Sequence, residues 1–202
     1  MSPRPTTLRR RDFLRHAAAA GAGWAGWCAC GGMCRGATAA AAGGKFQHDG
    51  YCGDYCGACP NMVASEAATK HADLKCYGCK RTRPNGKKPG CQIRACAIQK
   101  GVQHCAACKE YPCKKLRDYH TRSKSKNDKD KPGYTWLAAY NLERIKAVGV
   151  EKWLAEQRER WSCPKCKTHF SWKDETCPKC HEPILSADQE AAQLTQKKLP
   201  GM

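Results

Sequence analysis

Large apolar side chains are scarce in this chain of 202 residues. It has only three phenylalanines, and its mean hydropathy is -0.72. This scarcity argues against a single large hydrophobic core. No uncharged run of about 18 Leu, Ile, Val and Phe residues is present, which excludes a multi-span membrane protein. The sequence also shows no nucleophile–base pair, no paired carboxylates and no phosphate-binding loop. A metalloenzyme is therefore the least favoured function.

Cysteine and positive charge are in excess. The chain has 17 cysteines, and its 36 basic and 18 acidic residues give a formal net charge of +18. This composition is typical of small domains that metals or disulfides hold together. Ten cysteines lie between Cys52 and Cys113, four lie between Cys163 and Cys180, and three lie near the N-terminus.

The first 42 residues resemble a twin-arginine export signal. The motif is two arginines, one further residue and a Phe-Leu pair: Arg10, Arg11, Phe13 and Leu14. A mildly apolar stretch rich in Ala, Gly and Trp follows, as that pathway requires. The resemblance implies a periplasmic or otherwise exported protein. Its partner would be the twin-arginine machinery, and the mature chain would have no transmembrane domain. Cleavage of the signal and lipidation of Cys30 both stay open.

The cysteine groups and the residues between them predict the domain organisation. The segments are an export signal at 1–42, a cysteine-rich metal-binding domain at 46–120, a basic linker at 121–133, a helical pair at 134–160, a zinc ribbon at 161–183 and a polar tail at 184–202. The expected fold is a small α-rich, metal-stapled cysteine-rich domain plus a helical pair and a short β zinc ribbon.

Apolar spacing predicts the helices. The first helix of the pair is expected to end at Gly149 and the second to cover 150–160. The first helix is predicted from a stripe of apolar residues that fall on one face, namely Trp136, Leu137, Tyr140, Leu142 and Ile145. In the central domain, one helix is expected to start at a capping Asn61 and run toward His71. Another is expected over 92–100, ending at Gly101.

The C-terminal cysteines have the spacing of a metal site. Two Cys-Pro-Lys-Cys turns stand ten residues apart and supply Cys163, Cys166, Cys177 and Cys180. Two such turns place four thiolates around one tetrahedral metal, so we expect zinc. Iron in a rubredoxin-like site and a pair of disulfides remain alternatives. Phe170 and Trp172 are expected to alternate across a β-hairpin, and His169 and His181 to lie at the surface.

The central cysteines carry a family resemblance. Their segments are YCGDYCGACP, KCYGCK and GCQIRACAIQKGVQHCAACKEYPC. In this order they resemble a bacterial and archaeal cysteine-rich family catalogued as domain of unknown function 3795, over residues 48–120. Similar proteins often continue into a helical pair and a zinc ribbon. The resemblance implies family membership and supplies no activity.

Metals are favoured over disulfides in the central domain. Three Cys-x-x-Cys pairs occur, and glycine and alanine beside them let backbone N–H groups approach the sulfurs. The candidate ligands are Cys52, Cys56, Cys59, Cys76, Cys79, Cys91, Cys96, Cys105, Cys108 and Cys113. The metal is zinc or a [4Fe–4S] cluster, and His104 is a possible substitute ligand. The grouping stays open. In one arrangement, one site consists of Cys76, Cys79, Cys91 and Cys96. A second site then draws its ligands from Cys105, Cys108 and Cys113 together with Cys52, Cys56 and Cys59.

Together these features predict an exported metal-binding protein, with zinc, iron–sulfur or both, that serves electron transfer or metal handling. A redox protein or metalloprotein would then be its partner. The alternative is a zinc-ribbon adaptor that binds nucleic acid or protein. The charge argues against nucleic acid. Residues 43–202 carry +13, and three tetrathiolate sites at −2 each would lower this to about +7.

Overall fold

Six α-helices and three 3-10 turns organise the part of the chain that the computed structural model describes, residues 45–124 and 133–194. The helices are α1 Pro60–Glu66, α2 Gln92–Gln99, α3 Lys114–Thr121, α4 Thr135–Val148, α5 Val150–Arg160 and α6 Ala187–Gln193. The turns are Cys56–Ala58, His71–Asp73 and Cys105–Ala107. The predicted export signal lies outside the described residues. No helix within them is long and apolar enough to cross a membrane.

Helices α4 and α5 occupy the region of the predicted pair, and Gly149 separates them. Its φ of 81° is the left-handed conformation that glycine adopts at little cost. Leu142 and Ile145 of the predicted stripe are buried. Its other three members are only half-buried. Ala138 and Ala139 are buried in their place. The face of α4 that contacts the core therefore carries smaller side chains than predicted.

Small residues bring α4 directly onto the first central cysteine segment. A Cβ added at Gly53 would lie 2.2 Å from the carbonyl oxygen of Ala138, so only glycine fits there. The side-chain amide of Asn141 donates to the Gly53 carbonyl over 2.9 Å. The His120 ring on α3 bonds the Cys52 carbonyl over 3.1 Å. Two helices therefore fix the backbone at Cys52 and Gly53.

Aromatic side chains continue this core toward the C-terminus. The fully buried Trp153 of α5 meets Tyr55 edge to face, with ring centroids 6.0 Å apart. Trp161, which follows α5, meets Phe170 in the same manner at 5.7 Å. These contacts form one hydrophobic cluster that reaches Cys163 and Cys177. The core thus joins the two cysteine groups.

Two helices differ from the sequence expectations. Helix α1 begins at Pro60, with Cys59 rather than Asn61 at its N-cap, and ends at Glu66, well short of His71. Proline suits the first helical position because it has no N–H to satisfy there. Helix α6 lies in the predicted polar tail. Ser186 starts it with a capping box to Gln189, and its Ala187 and Ala191 are buried.

No β-strand is present in the described residues, so the structure does not show the predicted short β ribbon. Two isolated antiparallel bridges occur instead, Ser162 with His169 and Thr176 with Pro183. Each bridge closes one Cys-Pro-Lys-Cys turn on itself. A turn at 171–174, in which Ser171 accepts from the N–H of Asp174, separates them. The segment between the two cysteine pairs therefore consists mostly of turns, and its extended parts are too short to form a β-ladder.

Candidate metal centre

The four C-terminal cysteines converge on one point. Their sulfur atoms all lie within 4.8 Å of one another. Cys163 Sγ is 3.6 Å from Cys180 Sγ, and Cys166 Sγ is 3.5 Å from Cys177 Sγ. A tetrahedron with metal–sulfur bonds of about 2.3 Å has sulfurs about 3.8 Å apart, so the group can hold a metal ion. We call these four residues the C-terminal site.

The two halves of the C-terminal site are built alike. The Cys163 N–H donates to the Thr168 carbonyl over 2.9 Å, and the Lys167 N–H returns to the Cys163 carbonyl over 2.9 Å. Cys177 repeats both bonds with Glu182 and His181, over 2.8 and 3.1 Å. Lys167 and His181 take left-handed φ angles of 59° and 57°. Each Cys-Pro-Lys-Cys sequence thus turns its two thiols to the same side.

Hydrogen bonds prepare thiolates at the C-terminal site. Backbone N–H groups of Cys166 and Lys165 lower the pKa of Cys163. The hydroxyl and N–H of Thr168 lower the pKa of Cys166 to about 6. The Cys166 sulfur lies 3.2 Å from the Thr168 hydroxyl oxygen. The thiolate is the form that binds metal, so these contacts favour ligation by Cys163 and Cys166. The Glu182 N–H lowers the pKa of Cys180, but burial and hydrogen bonds to the other three cysteines outweigh it and raise that pKa to about 12.

The C-terminal site docks on the first central Cys-x-x-Cys turn. The Trp172 N–H donates to the Ala58 carbonyl over 2.9 Å. The His169 ring bonds the Gly57 carbonyl over 3.0 Å. His169, which we expected at the surface, is therefore half-buried between the two cysteine groups. Gly57 and Ala58 lie between Cys56 and Cys59, so the backbone of this turn touches both groups.

The first two central Cys-x-x-Cys turns face each other. Cys56 Sγ contacts the thiol and the backbone N–H of Cys79, and the bond between the two side chains lowers the pKa of Cys79. Cys59 Sγ accepts from the N–H groups of Asn61 and Met62. The Gly78 N–H points at Cys76 Sγ over 3.3 Å. N–H groups aimed at sulfur are common around metal thiolates.

The remaining central cysteines gather around a second point. Cys96 on α2 and Cys105 and Cys108 on a 3-10 turn line a cavity of about 20 Å³ together with Cys113, which precedes α3. Burial and the neighbouring Cys113 and Cys108 raise the pKa of Cys105 to about 12. Cys91 precedes α2 and is exposed.

These positions differ from the grouping suggested by chain order. Cys79 contacts Cys56 rather than forming a set with Cys91 and Cys96, and Cys105 shares its cavity with Cys96. Tertiary packing, rather than spacing along the chain, decides which turns meet, and the sequence had left the grouping open. No other group of three potential metal ligands in the described ranges has its ligand atoms within 4.8 Å of one another. The central sulfurs are thus more widely spread than those of the C-terminal site. All fourteen described cysteines are free, so no disulfide joins any of them.

Asp49 links the central turns and was missed in the sequence. Its carboxylate accepts hydrogen bonds from Lys80 Nζ at 2.5 Å and His104 Nε2 at 2.9 Å, and from Gln47. Burial alone would raise the pKa of Asp49, but the bond from His104 and those from Lys80 and Gln47 hold it well below its ordinary value. The Nε2 atom of His104 is therefore engaged by Asp49. A single aspartate upstream of the cysteines gave no sequence signal for this role.

Ser65 fixes the second central turn to α1. Its hydroxyl oxygen accepts from the N–H groups of Lys75 and Cys76, over 2.9 and 3.0 Å, and donates to the Asn61 carbonyl over 2.6 Å. Ser65 is 1% exposed, so both N–H groups would lose their partner in an apolar environment without it. One side chain thus positions Cys76 against the helix that follows Cys59.

Comparison with known proteins supports one part of this description. No curated protein matches the chain, and no solved structure matches it. A family model matches a segment that holds all ten central cysteines. Residues 48–118 match the family described as Protein of unknown function (DUF3795), which supports the family identification made from the cysteine motifs.

Proposed function

We propose that this protein is an exported metal-handling protein. In this proposal the C-terminal site holds a structural zinc ion, and the central cysteines bind a thiophilic metal ion that can exchange. The difference in exposure between the two groups carries the proposal. Cys163 and Cys177 are 0% exposed and Cys166 and Cys180 are half-buried, whereas Cys79 of the central group is exposed at the surface.

The structural role rests on the closure of the C-terminal site. Four thiols complete a tetrahedral zinc shell and leave no position for a substrate. The site lies against Trp161 and Phe170 in the core and is hydrogen-bonded to the backbone at Gly57 and Ala58. Metal bound there would contribute its binding free energy to the folding of both cysteine groups.

The exchangeable role rests on access to the central thiols. An incoming thiolate must reach the metal to displace a ligand, and partly exposed cysteines permit that approach. Cys96, Cys105, Cys108 and Cys113 are all half-buried, and Cys79 is more exposed still. The partner in this proposal is a second metalloprotein that donates or accepts the ion.

Export is proposed from the sequence motif at Arg10, Arg11, Phe13 and Leu14. The twin-arginine route carries folded proteins, so the thiols would be metallated in the reducing cytoplasm before they meet an oxidising compartment. Fusion of residues 1–45 to a reporter tests this. We expect the reporter to reach the periplasm, and to stay in the cytoplasm when Arg10 and Arg11 are both replaced by lysine. Reporter that stays in the cytoplasm would contradict export and favour the adaptor alternative.

Competition with a metallochromic chelator tests the exchange. We expect zinc to leave the reduced full-length chain in two phases, a fast phase from the central cysteines and a slow one from the C-terminal site. Cys177→Ser should remove the slow phase alone. A single slow phase for all bound zinc, or zinc at the C-terminal site only, would contradict metal handling.

A further inference from the structure

We propose that the ten central cysteines form two separate tetrathiolate metal sites, and that Cys52 and Cys91 belong to neither. This inference rests on the proposed metal binding and specifies where it occurs. Site A consists of two Cys-x-x-Cys pairs, Cys56, Cys59, Cys76 and Cys79. Site B consists of Cys96, Cys105, Cys108 and Cys113.

Direct contacts define site A. Cys56 Sγ touches both the side chain and the N–H of Cys79. The other two members are tied to α1, because Cys59 immediately precedes it and Ser65 on it holds the N–H of Cys76. The two pairs are thus anchored on one helix, and a bound ion would draw their sulfurs closer, because no three of the four lie within 4.8 Å of one another.

The turn at Cys76 is also shaped for ligation. Gly78 has a φ of 107°, and a Cβ there would lie 2.0 Å from the Gln47 carbonyl oxygen. The Gln47 N–H in turn donates to the Tyr77 carbonyl over 2.8 Å. Glycine is therefore needed for this turn to press against residue 47, and the same glycine supplies the N–H that points at Cys76 Sγ.

A cavity defines site B. Its four cysteines come from three places in the chain, namely α2, a 3-10 turn and the residue before α3. The cavity of about 20 Å³ has room for roughly one water-sized atom. Ala97 and Leu116 provide apolar walls, which strengthen the attraction between thiolates and a cation.

The two remaining thiols have other surroundings. Cys52 is buried beside the Asp54 carboxylate, to which its side chain and the Tyr119 hydroxyl are both hydrogen-bonded. The Cys52 thiol is thus engaged by a carboxylate rather than facing the turn at Cys76. Cys91 is exposed in front of α2 and does not line the cavity.

The basic residues of the central domain fit this assignment. A tetrathiolate site with a divalent ion carries −2. Arg94 bonds the Cys79 carbonyl over 3.1 Å, and Arg83 and Arg94 both attract the Cys79 thiolate. Lys100 lines the site B cavity. Arg83 and Arg94 offset the thiolate charge of site A, whereas Lys100 is already paired with Glu110, which also lines the site B cavity.

Zinc counting by native mass spectrometry tests the assignment. The starting protein is the full chain with Cys28, Cys30 and Cys34 replaced by serine, so that the N-terminal cysteines bind no metal. Reduced and loaded with Zn²⁺, it should hold three zinc ions. Cys79→Ser and Cys108→Ser should each hold two, and the double variant one. The matched controls Cys52→Ser and Cys91→Ser should keep three, and iodoacetamide should modify Cys91 in the loaded protein.

The outcomes separate the two proposals. One zinc ion, lost in Cys177→Ser, would overturn metal binding by the central domain and with it the proposed function. Two zinc ions in total, loss of zinc in Cys91→Ser or Cys52→Ser, or loss of both central ions in Cys79→Ser would overturn the assignment alone. Titration of the unsubstituted sites with Co²⁺ gives the same count without risk of misfolding. Three equivalents with tetrahedral thiolate spectra support the assignment, and two contradict it.

Discussion

The carboxylate of Asp49 accepts a hydrogen bond from His104, which lies 55 positions later in the chain, over 2.9 Å. The same carboxylate oxygen is paired with Lys80, 31 positions away. Lys80 follows Cys79 and His104 precedes Cys105, so one buried side chain holds a residue next to each proposed central site. Lys80 also lies 4.9 Å above the Tyr51 ring.

Asp49→Asn should weaken zinc binding at sites A and B and leave the C-terminal site intact. Loss of an outer hydrogen-bond partner typically lowers metal affinity by about 10–100-fold. Chelator competition on the zinc-loaded chain measures both groups at once. Asp73→Asn at an exposed turn is the matched control. Unchanged affinity at both central sites in Asp49→Asn would show that the carboxylate does not position them.

Gly53→Ala should destabilise the protein much more than Gly86→Ala. Both glycines have positive φ, 95° and 75°, which costs about 1 kcal/mol for alanine. Only Gly53 presses against a backbone carbonyl, whereas a Cβ at Gly86 meets nothing within 4 Å. We expect an additional loss of about 2 kcal/mol in Gly53→Ala by urea denaturation of the zinc-loaded chain. Equal losses would mean that α4 does not lie on the Cys52–Gly53 backbone.

Cys177→Ser should remove one zinc ion and lower the free energy of unfolding by more than about 3 kcal/mol, because metal binding there is also folding energy. The exposed Cys91→Ser is the control and should change stability by less than about 0.5 kcal/mol. Thermal denaturation followed by circular dichroism, with metal analysis of each variant, measures both quantities. Full zinc content in Cys177→Ser would contradict the C-terminal site.

Glu156→Gln should cost less than about 1 kcal/mol, and only above acidic pH. Arg144 binds the Glu156 carboxylate through two nitrogens, at 2.9 and 2.5 Å, and this bond lowers the pKa of Glu156. A carboxylate whose pKa is lower in the folded protein stabilises the folded state at pH values above its unfolded pKa of about 4.3. This stabilisation is lost as the pH falls through the folded pKa. The stability difference from the parent chain should therefore begin to shrink as pH falls below about 4.3 and disappear below the folded pKa of Glu156.

The difference between two chains is the useful quantity in that experiment, because acid also displaces metal from thiolates in both. Glu159→Gln, an exposed neighbour on α5, serves as the matched control and should show no such pH dependence. A constant difference between Glu156→Gln and the parent from pH 7 to pH 3 would mean that the Arg144 pair contributes nothing through its charge.

Local signals explain which features could be predicted from the sequence. Gly149 and Gly101 end helices by their own backbone freedom, and both positions were identified. The four C-terminal cysteines were grouped because both pairs lie in one short segment. Helix α6 was missed although Ser186 and Gln189 form a recognisable capping box, since its buried residues are mostly alanines.

Long-range contacts explain what could not be predicted. Cys56 meets Cys79, and Asp49 meets His104, only because α1 and α4 bring distant segments together. No spacing in the sequence encodes those meetings. The β ribbon was predicted from the cysteine spacing and the alternation of Phe170 and Trp172, whereas each C-terminal turn closes on itself through its own bridge.

Metal analysis of the reduced full-length protein, purified without oxygen, tests the central claim most directly. Zinc, iron and acid-labile sulfide would be measured together with the visible absorption spectrum. We expect a colourless protein with three zinc ions per chain and no iron or sulfide above background. A coloured protein with iron and sulfide would contradict it and identify the central domain as an iron–sulfur carrier.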